Sequence, residues 1–399
     1  MSATKPEPVR AEILSRVGGE LQLRFDELPH WEGVQAEPGI RQVLPFWLGW
    51  DPIGFVRQVT PENVRNQVIR AYATDDYRFI TRPPGDSAWA SRLGQAKINS
   101  LERHIGSLEG LRVLEIGAGS LFVAENLLKR HGVASYVAVD PALSARSADP
   151  RLTVVRDYFP CDAVKRESFD LVLAFSCLEH AENVEKFLDA LRRALAPKGC
   201  AFLTFPDIGR QFADGDLCAL VHEHFSYLDR SGSSALFSAA GFDLVAVESR
   251  HDMFYCVARP SNAVAPAATV RSDAVLADAG KAFQATLADT GSRIRSEIAR
   301  GMTIAFHGAN AGLNNFLFLA GLNGASNVIV FDGDASKMGS FLPACPSPIR
   351  LPADGTYRDS DRVYVSATSF FDEILRTATE SFGMDRRKIA PLFGASPKA

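Results

Sequence analysis

Residues 220–228 read LVHEHFSYL. Two histidines flank a glutamate, in a chain that holds eight histidines. A neutral imidazole, with a pKa of about 6.5, is a competent base at pH 7. An adjacent carboxylate can fix its tautomer. Two imidazoles can also ligate a metal, and both can serve only as hydrogen-bonded core. His222 and His224 lie two apart, so they share a face on a strand and not on a helix. A metal site would need a third ligand such as His180, plus an open position; no metal is expected.

A second constellation lies upstream. LEIGAGS places Glu115, Gly117 and Gly119 at the end of an apolar run. Glycines there let a ligand approach the backbone and let a helix start beneath it. Asp140 follows about 20 residues later, where a carboxylate can take ribose hydroxyls. Dinucleotides and S-adenosylmethionine (SAM) both use this arrangement. Glu115 would repel a pyrophosphate but suits a ligand carrying an ammonium and a sulfonium. The third glycine of the dinucleotide fingerprint would fall at Phe122. The reading is therefore SAM, with S-adenosylhomocysteine as product. A turn that binds nothing is the alternative.

These groups need a scaffold. Residues 1–95 contain Pro-, Gly- and Trp-rich pieces such as LPHWEG and LPFWLGWDPIG without clear periodicity, which predicts a small irregular lobe over the substrate, either α+β or a wrapped arm. From about residue 97 the pattern alternates. INSLERHIGSL, LFVAENLLKRHG and NVEKFLDALRRALAPKG have helical spacing and stops. RVLEIGAG, SYVAVD, LTVVRD, FDLVLAFS and CAFLTFP read as strands, and FDLVAVES with MFYCVARP suits an antiparallel hairpin. Alternating strands and helices imply a parallel sheet covered on both faces. Residues 96–260 are expected to form the SAM-binding domain, and 261–300 a linker with a long helix. Residues 301–399 are expected to form a smaller Rossmann-like α/β domain, opening with the glycine turn GANAGLNN.

LRVLEIGAGSLFVAENL, VAVDP and VVRDYFP resemble the cofactor motifs of class I SAM-dependent methyltransferases. That resemblance implies that Asp140 holds the ribose and Asp157 lies near the adenine. Ser176, ending the fourth strand, joins the cofactor set. A narrower resemblance is to the nucleotide-sugar C-methyltransferases of deoxysugar biosynthesis. It rests on VHEHFSYL (221–228), LEHAEN (178–183), FHGANAGLNNFL (306–317), VFDGDASKMGSFLP (330–343) and RVYVSATSFFDEI (362–374). It covers roughly residues 100–399. The chain departs from that family at its N-terminus, which lacks the four-cysteine zinc lobe, and at Val221, where the family has tyrosine. Gly312 stands near the place of a family lysine.

The resemblance implies catalysis by His224, His180 and Glu223. Carbon methylation needs an enolate beside a ketone, hence a base for the C–H proton and a donor for the oxygen. His224 is the expected base, Glu223 its orienting group and His180 the oxygen's partner. His222, Tyr227, Tyr72, Tyr77, Asn310 and Asn314 are candidate substrate contacts. Tyr227, Tyr72 and Tyr77 read equally as packing residues, and Asn310 and Asn314 as parts of a tight turn rather than a phosphate-binding helix start.

The bulk properties agree with a small-molecule enzyme. The 399 residues are 46% apolar and 23% charged, with net charge −4 and pI about 6.1. No basic stripe suggests nucleic acid, and no apolar run approaches a membrane span. The six cysteines are scattered without a CxxC pair, and the N-terminus has no signal-like apolar stretch. The expected protein is a cytoplasmic SAM-dependent methyltransferase acting on a nucleotide-linked keto-deoxysugar, as a monomer or small homo-oligomer. An O- or N-methyltransferase, a silent SAM-binding scaffold and a nicotinamide enzyme are its rivals.

Overall fold

The structure, a computed structural model, describes residues 13–71, 84–85, 87–143, 147–261, 273–353 and 355–394. Tyr72 and Tyr77 lie outside the described residues. In chain order the elements begin with β1 (Leu14–Val17), β2 (Glu20–Pro29), β3 (Val43–Trp50), β4 (Val56–Gln58), α1 (Glu62–Ala71) and α2 (Ala88–Ile105). Next come β5 (Arg112–Ile116), α3 (Phe122–Arg130), β6 (Ser135–Val139), β7 (Leu152–Val155), β8 (Phe169–Phe175), α4 (Val184–Ala194) and β9 (Leu195–Pro206). Then follow α5 (Ile208–Ala213), β10 (Ser226–Tyr227), α6 (Arg230–Ala239), β11 (Phe242–Arg250) and β12 (Met253–Pro260). The chain ends with α7 (Asp273–Ala285), α8 (Gly291–Ala299), β13 (Ile304–His307), α9 (Ala311–Leu319), β14 (Val328–Phe331), β15 (Ile349–Arg350), α10 (Gly355–Asp359), β16 (Arg362–Val365), α11 (Phe371–Glu380) and β17 (Ile389–Pro391).

Two compact units form from this order. The middle unit comprises Trp50–Ile208 and Glu223–Ser272; the terminal unit comprises Met1–Gly49, Gly209–His222 and Asp273–Ala399.

The middle unit is built on a seven-stranded sheet ordered β11-β12-β9-β8-β5-β6-β7. β12 runs antiparallel to both neighbours, and the other pairs are parallel. This is the class I methyltransferase sheet, an α/β Rossmann-like fold. Its central strands are mostly apolar because both faces are covered. Along β8, Val172 and Ala174 enter one buried cluster while Leu171 and Leu173 enter the other. Each such fully buried Val or Leu side chain contributes about 1.5–3 kcal/mol. α4 buries Val184, Phe187, Leu188 and Leu191, the spacing of one helical face. The Asn183 side chain caps it by accepting the Lys186 N–H. The helix ends at Ala194 and β9 begins at once, so Pro197 and Gly199 lie inside the strand rather than closing the helix.

The terminal unit holds a fully parallel sheet ordered β15-β14-β13-β16-β17. It also contains antiparallel pairing of β1 with β2 and of β2 with β3. The described part of residues 1–95 thus contains regular strands, as an α+β lobe would, rather than a wrapped arm. Leu23 and Phe25 alternate inward, and then a register shift between Phe25 and Leu28 breaks the two-residue period. α7 joins this layer through an edge-to-face contact of Phe283 with Phe25. The helix expected after residue 272 is interrupted by a π turn at Thr286–Thr290.

Candidate active site

The carboxyl ends of β5, β6 and β8 in the middle unit supply the cofactor-type residues. After β5 the chain turns through Gly117 and Gly119, at φ 70° and 62°. A side chain is disfavoured there twice over: by the left-handed backbone, and because a Cβ at Gly117 would lie 2.7 Å from Cys177 Sγ. Asp140, following β6, accepts the Gly119 N–H at 2.9 Å on one oxygen and the Ala142 N–H at 2.8 Å on the other. It therefore shapes the glycine turn from outside. Burial pushes its carboxyl above the ordinary value, against the pull of the backbone N–H groups. Glu115 is 1% exposed, accepts the Tyr136 hydroxyl at 2.8 Å, and is pushed up to about 8 by burial.

Ser176 follows β8 directly, in a left-handed conformation at φ 52°. Its Oγ accepts Lys97 Nζ at 3.4 Å. Lys97 comes from α2 and lies 5.5 Å from the centroid of the Phe175 ring. Burial lowers the Lys97 pKa, and Glu179 and Glu115 partly restore it. Lys97, Glu179 and Tyr136 were not among the residues read from the sequence. A signal existed for Lys97: it occupies an otherwise apolar stripe with Gly94, Ile98 and Leu101. Glu179 was visible only as the neighbour of His180.

His180 and Glu179 lie on a 3₁₀ turn, Leu178–His180, directly beyond β8. The chain of VHEHFSYL returns beside it. Phe225 N–H donates to the Glu179 carbonyl at 2.7 Å, which ties the two loops together. Gln58 holds the same stretch from β4: its Nε2 donates to the His224 carbonyl at 2.9 Å and its N–H to the Phe225 carbonyl at 3.0 Å. β10 then pairs Ser226 with Arg57 and Tyr227 with Val56.

The rings of His180 and His224 consequently meet edge to face, centroids 4.8 Å apart. Tyr227 lies 6.2 Å from His224 and is 1% exposed. The Glu223 carboxylate stands 4.0 Å from His180 Nδ1, and the His180 ring also hydrogen-bonds the Glu223 backbone. Glu223 thus faces His180, a pairing that adjacency in sequence does not suggest. Loss of hydration pushes His180 down to about 4 and His224 well below its ordinary value. Burial pushes Glu179 up to about 8. Near pH 7 both imidazoles are neutral.

The remaining candidates sit elsewhere. His222 is 2% exposed and packs edge to face on His30 and Phe46 in the terminal unit. Burial pushes it down to about 3. Asp157 is exposed after β7, with one oxygen accepting the Tyr158 N–H. Asn310 caps α9 by accepting the Leu313 N–H at 2.9 Å. Asn314 is fully buried and accepts the Ala344 N–H.

Comparison with known proteins gives this geometry a context. A methyltransferase-domain family matches residues 88–247. The chain is 26% identical over 342 residues to C-methyltransferase NovU of Streptomyces niveus, covering 79% of this chain and 80% of the relative. It is 36% identical over 126 residues to the ubiquinone biosynthesis O-methyltransferase of Bradyrhizobium diazoefficiens, covering 27% of this chain and 47% of that one. The chain therefore spans less than half the length of that second relative. A 1,6-didemethyltoxoflavin-N1-methyltransferase structure from Burkholderia thailandensis, with S-adenosylhomocysteine bound, aligns over 57% of this chain and all of that one, at TM-score 0.38 and 18% identity. With the glycine turn, Asp140 and the reversed strand β12 all in the matched region or its sheet, the chain carries a class I methyltransferase domain and is an S-adenosylmethionine-dependent methyltransferase.

Proposed function

We propose that the enzyme methylates a carbon of a nucleotide-linked keto-deoxysugar through an enolate. The observation that carries this reading is the perpendicular contact of two neutral imidazoles, His180 and His224, beside Glu223. SAM brings its own electrophile, so the acceptor needs only a nucleophile. In this reading His224 takes the C–H proton next to the ketone. His180, oriented by Glu223, bonds the enolate oxygen when its single N–H turns from the Glu223 backbone to the substrate. The carbon then attacks the SAM methyl group and S-adenosylhomocysteine leaves. Gly117 and Gly119 admit the cofactor, Asp140 takes the ribose hydroxyls, and Lys97 at Ser176 supplies positive charge for the methionine carboxylate. Glu115 and Asp157 complete the cofactor contacts. Tyr227 lines the acceptor side. The 26% identity to a protein named as a C-methyltransferase supports the choice of carbon.

A hydroxyl acceptor is the second reading, supported by the 36% identity to an O-methyltransferase over 126 residues. His224 would then deprotonate the hydroxyl.

Deuterium uptake separates the two. The metal-stripped protein is incubated in D₂O with TDP- and GDP-linked 4-keto sugars, with and without SAM, and the carbon beside the ketone is followed by NMR. Carbon methylation predicts exchange in the wild type and a loss of at least 100-fold in His224→Ala, the usual size of a general-base contribution. A methylated product formed without any exchange would sink the enolate mechanism and leave the O-methyl reading.

A further inference from the structure

Glu179, His180 and His224 each offer a ligand atom, and these three atoms lie within 4.8 Å of one another. We propose that they form a capture site for a zinc-class divalent ion, and that the ion inhibits the enzyme. Two imidazoles and one carboxylate are the donor set of borderline transition ions. Around tetrahedral zinc, with bonds of about 2.0–2.1 Å, donors stand about 3.3 Å apart. Closing that gap requires side-chain rotation on the two short loops.

An independent feature points to a ligand. Glu179 is 2% exposed, and its Oε2 has no hydrogen-bond partner among the described residues. A buried carboxylate oxygen is normally paired. The His180 side chain is a quarter exposed, which leaves a path from solvent and room for a water or hydroxide in the fourth position. The Lys97 ammonium faces Glu179 and opposes a second cation, so the site binds more weakly than a closed structural zinc site. Inhibition rests on His224 being the base: a lone pair bound to a metal cannot accept a proton. The metal is not a cofactor in this proposal, and catalysis belongs to the metal-free enzyme.

The test uses the full chain, stripped with EDTA and titrated with zinc sulfate by calorimetry. Glu179→Gln and His224→Ala run beside it, with the thermal unfolding midpoint as the control for folding. The expected result is one saturable site in the wild type whose affinity drops at least tenfold in each variant, since even residues behind the ligands change metal affinity by about that much. Absence of a site tighter than about 100 µM, or equal affinity in Glu179→Gln, would overturn the proposal. The deuterium-exchange assay is then repeated on zinc-loaded protein, where exchange should vanish and return with EDTA. Zinc binding that depends on both residues but leaves exchange intact would refute His224 as the base and leave the site standing. Exchange lost in His224→Ala, with no zinc uptake by the wild type, would refute the site and leave the base standing.

Discussion

At the scale of single residues, the site is dominated by loss of hydration. His224 reaches a pKa well below that of an exposed histidine because burial disfavours the imidazolium, and His180 beside it adds to the effect. A base already neutral at pH 7 does not lose activity as pH falls through 6.5. The rate of deuterium exchange should therefore stay flat between about pH 8 and 6 and fall only in more acid solution; a half-point near 6.5 would contradict this environment. Lys97 follows the same logic with the opposite charge. Burial works against its ammonium, while Glu115 and Glu179 hold it. If it also meets the SAM carboxylate, Lys97→Met removes a hydrogen bond between charged groups, worth about 1.5–3 kcal/mol. Equilibrium dialysis should then show SAM affinity reduced about 10- to 100-fold; an unchanged affinity would remove Lys97 from the cofactor contacts.

At the scale of elements, the proposed catalytic groups sit on two loops. The turn after β8 and the segment before β10 are joined by the Phe225–Glu179 backbone bond and pinned by Gln58. In the terminal unit a comparable device holds residues 217–220 against α9. Asn315 Nδ2 donates to the carbonyls of Leu217 and Leu220, at 3.3 and 2.9 Å. Gly312 lets that turn approach: a Cβ there would lie 2.7 Å from the Cys218 backbone nitrogen. Gly312→Ala must displace backbone rather than a flexible side-chain end. It should destabilise the protein by about 1–3 kcal/mol, the usual cost of overpacking, read as a drop in the denaturant midpoint. A neutral effect would mean that the turn is looser than its contacts indicate.

At the scale of the whole molecule, buried titratable groups set the pH of greatest stability. His180 and His307 are pushed down to about 4 and His222 to about 3, with His224 also lowered. The unfolded chain protonates these groups near 6.5 while the folded one does not, so stability falls as pH drops below 6.5. Glu115 and Glu179 act in the opposite sense: both are pushed up to about 8. The folded state keeps their protons between about 4.5 and 8, so stability falls as pH rises across that window. His30 is lowered by burial too. Below about 6.5 these five histidines outweigh the two glutamates; above it the histidines drop out and the glutamates set the slope. Thermal unfolding should therefore show a maximum near pH 6.5, with each uncompensated proton worth about 1.4 kcal/mol per pH unit on the flanks. A midpoint that rises steadily from pH 6 to 8 would contradict the buried glutamates.

The methyltransferase fold and its glycine turn were readable from the chain because they depend on local patterns. Apolar runs ending in Gly117 and Gly119, Asp140 closing the next strand, and alternating helices each leave their mark within a few residues. VHEHFSYL was equally visible as a stretch whose residue types could do chemistry. Its partners were not. That Glu223 faces His180, that His222 turns to His30 and Phe46, and that Lys97 and Glu179 stand at the site are products of long-range packing. The β2 and β3 strands were hidden by a register shift. Which neighbours meet, and how much water each group loses, are set by elements far apart in the chain, so only the tertiary structure could decide them.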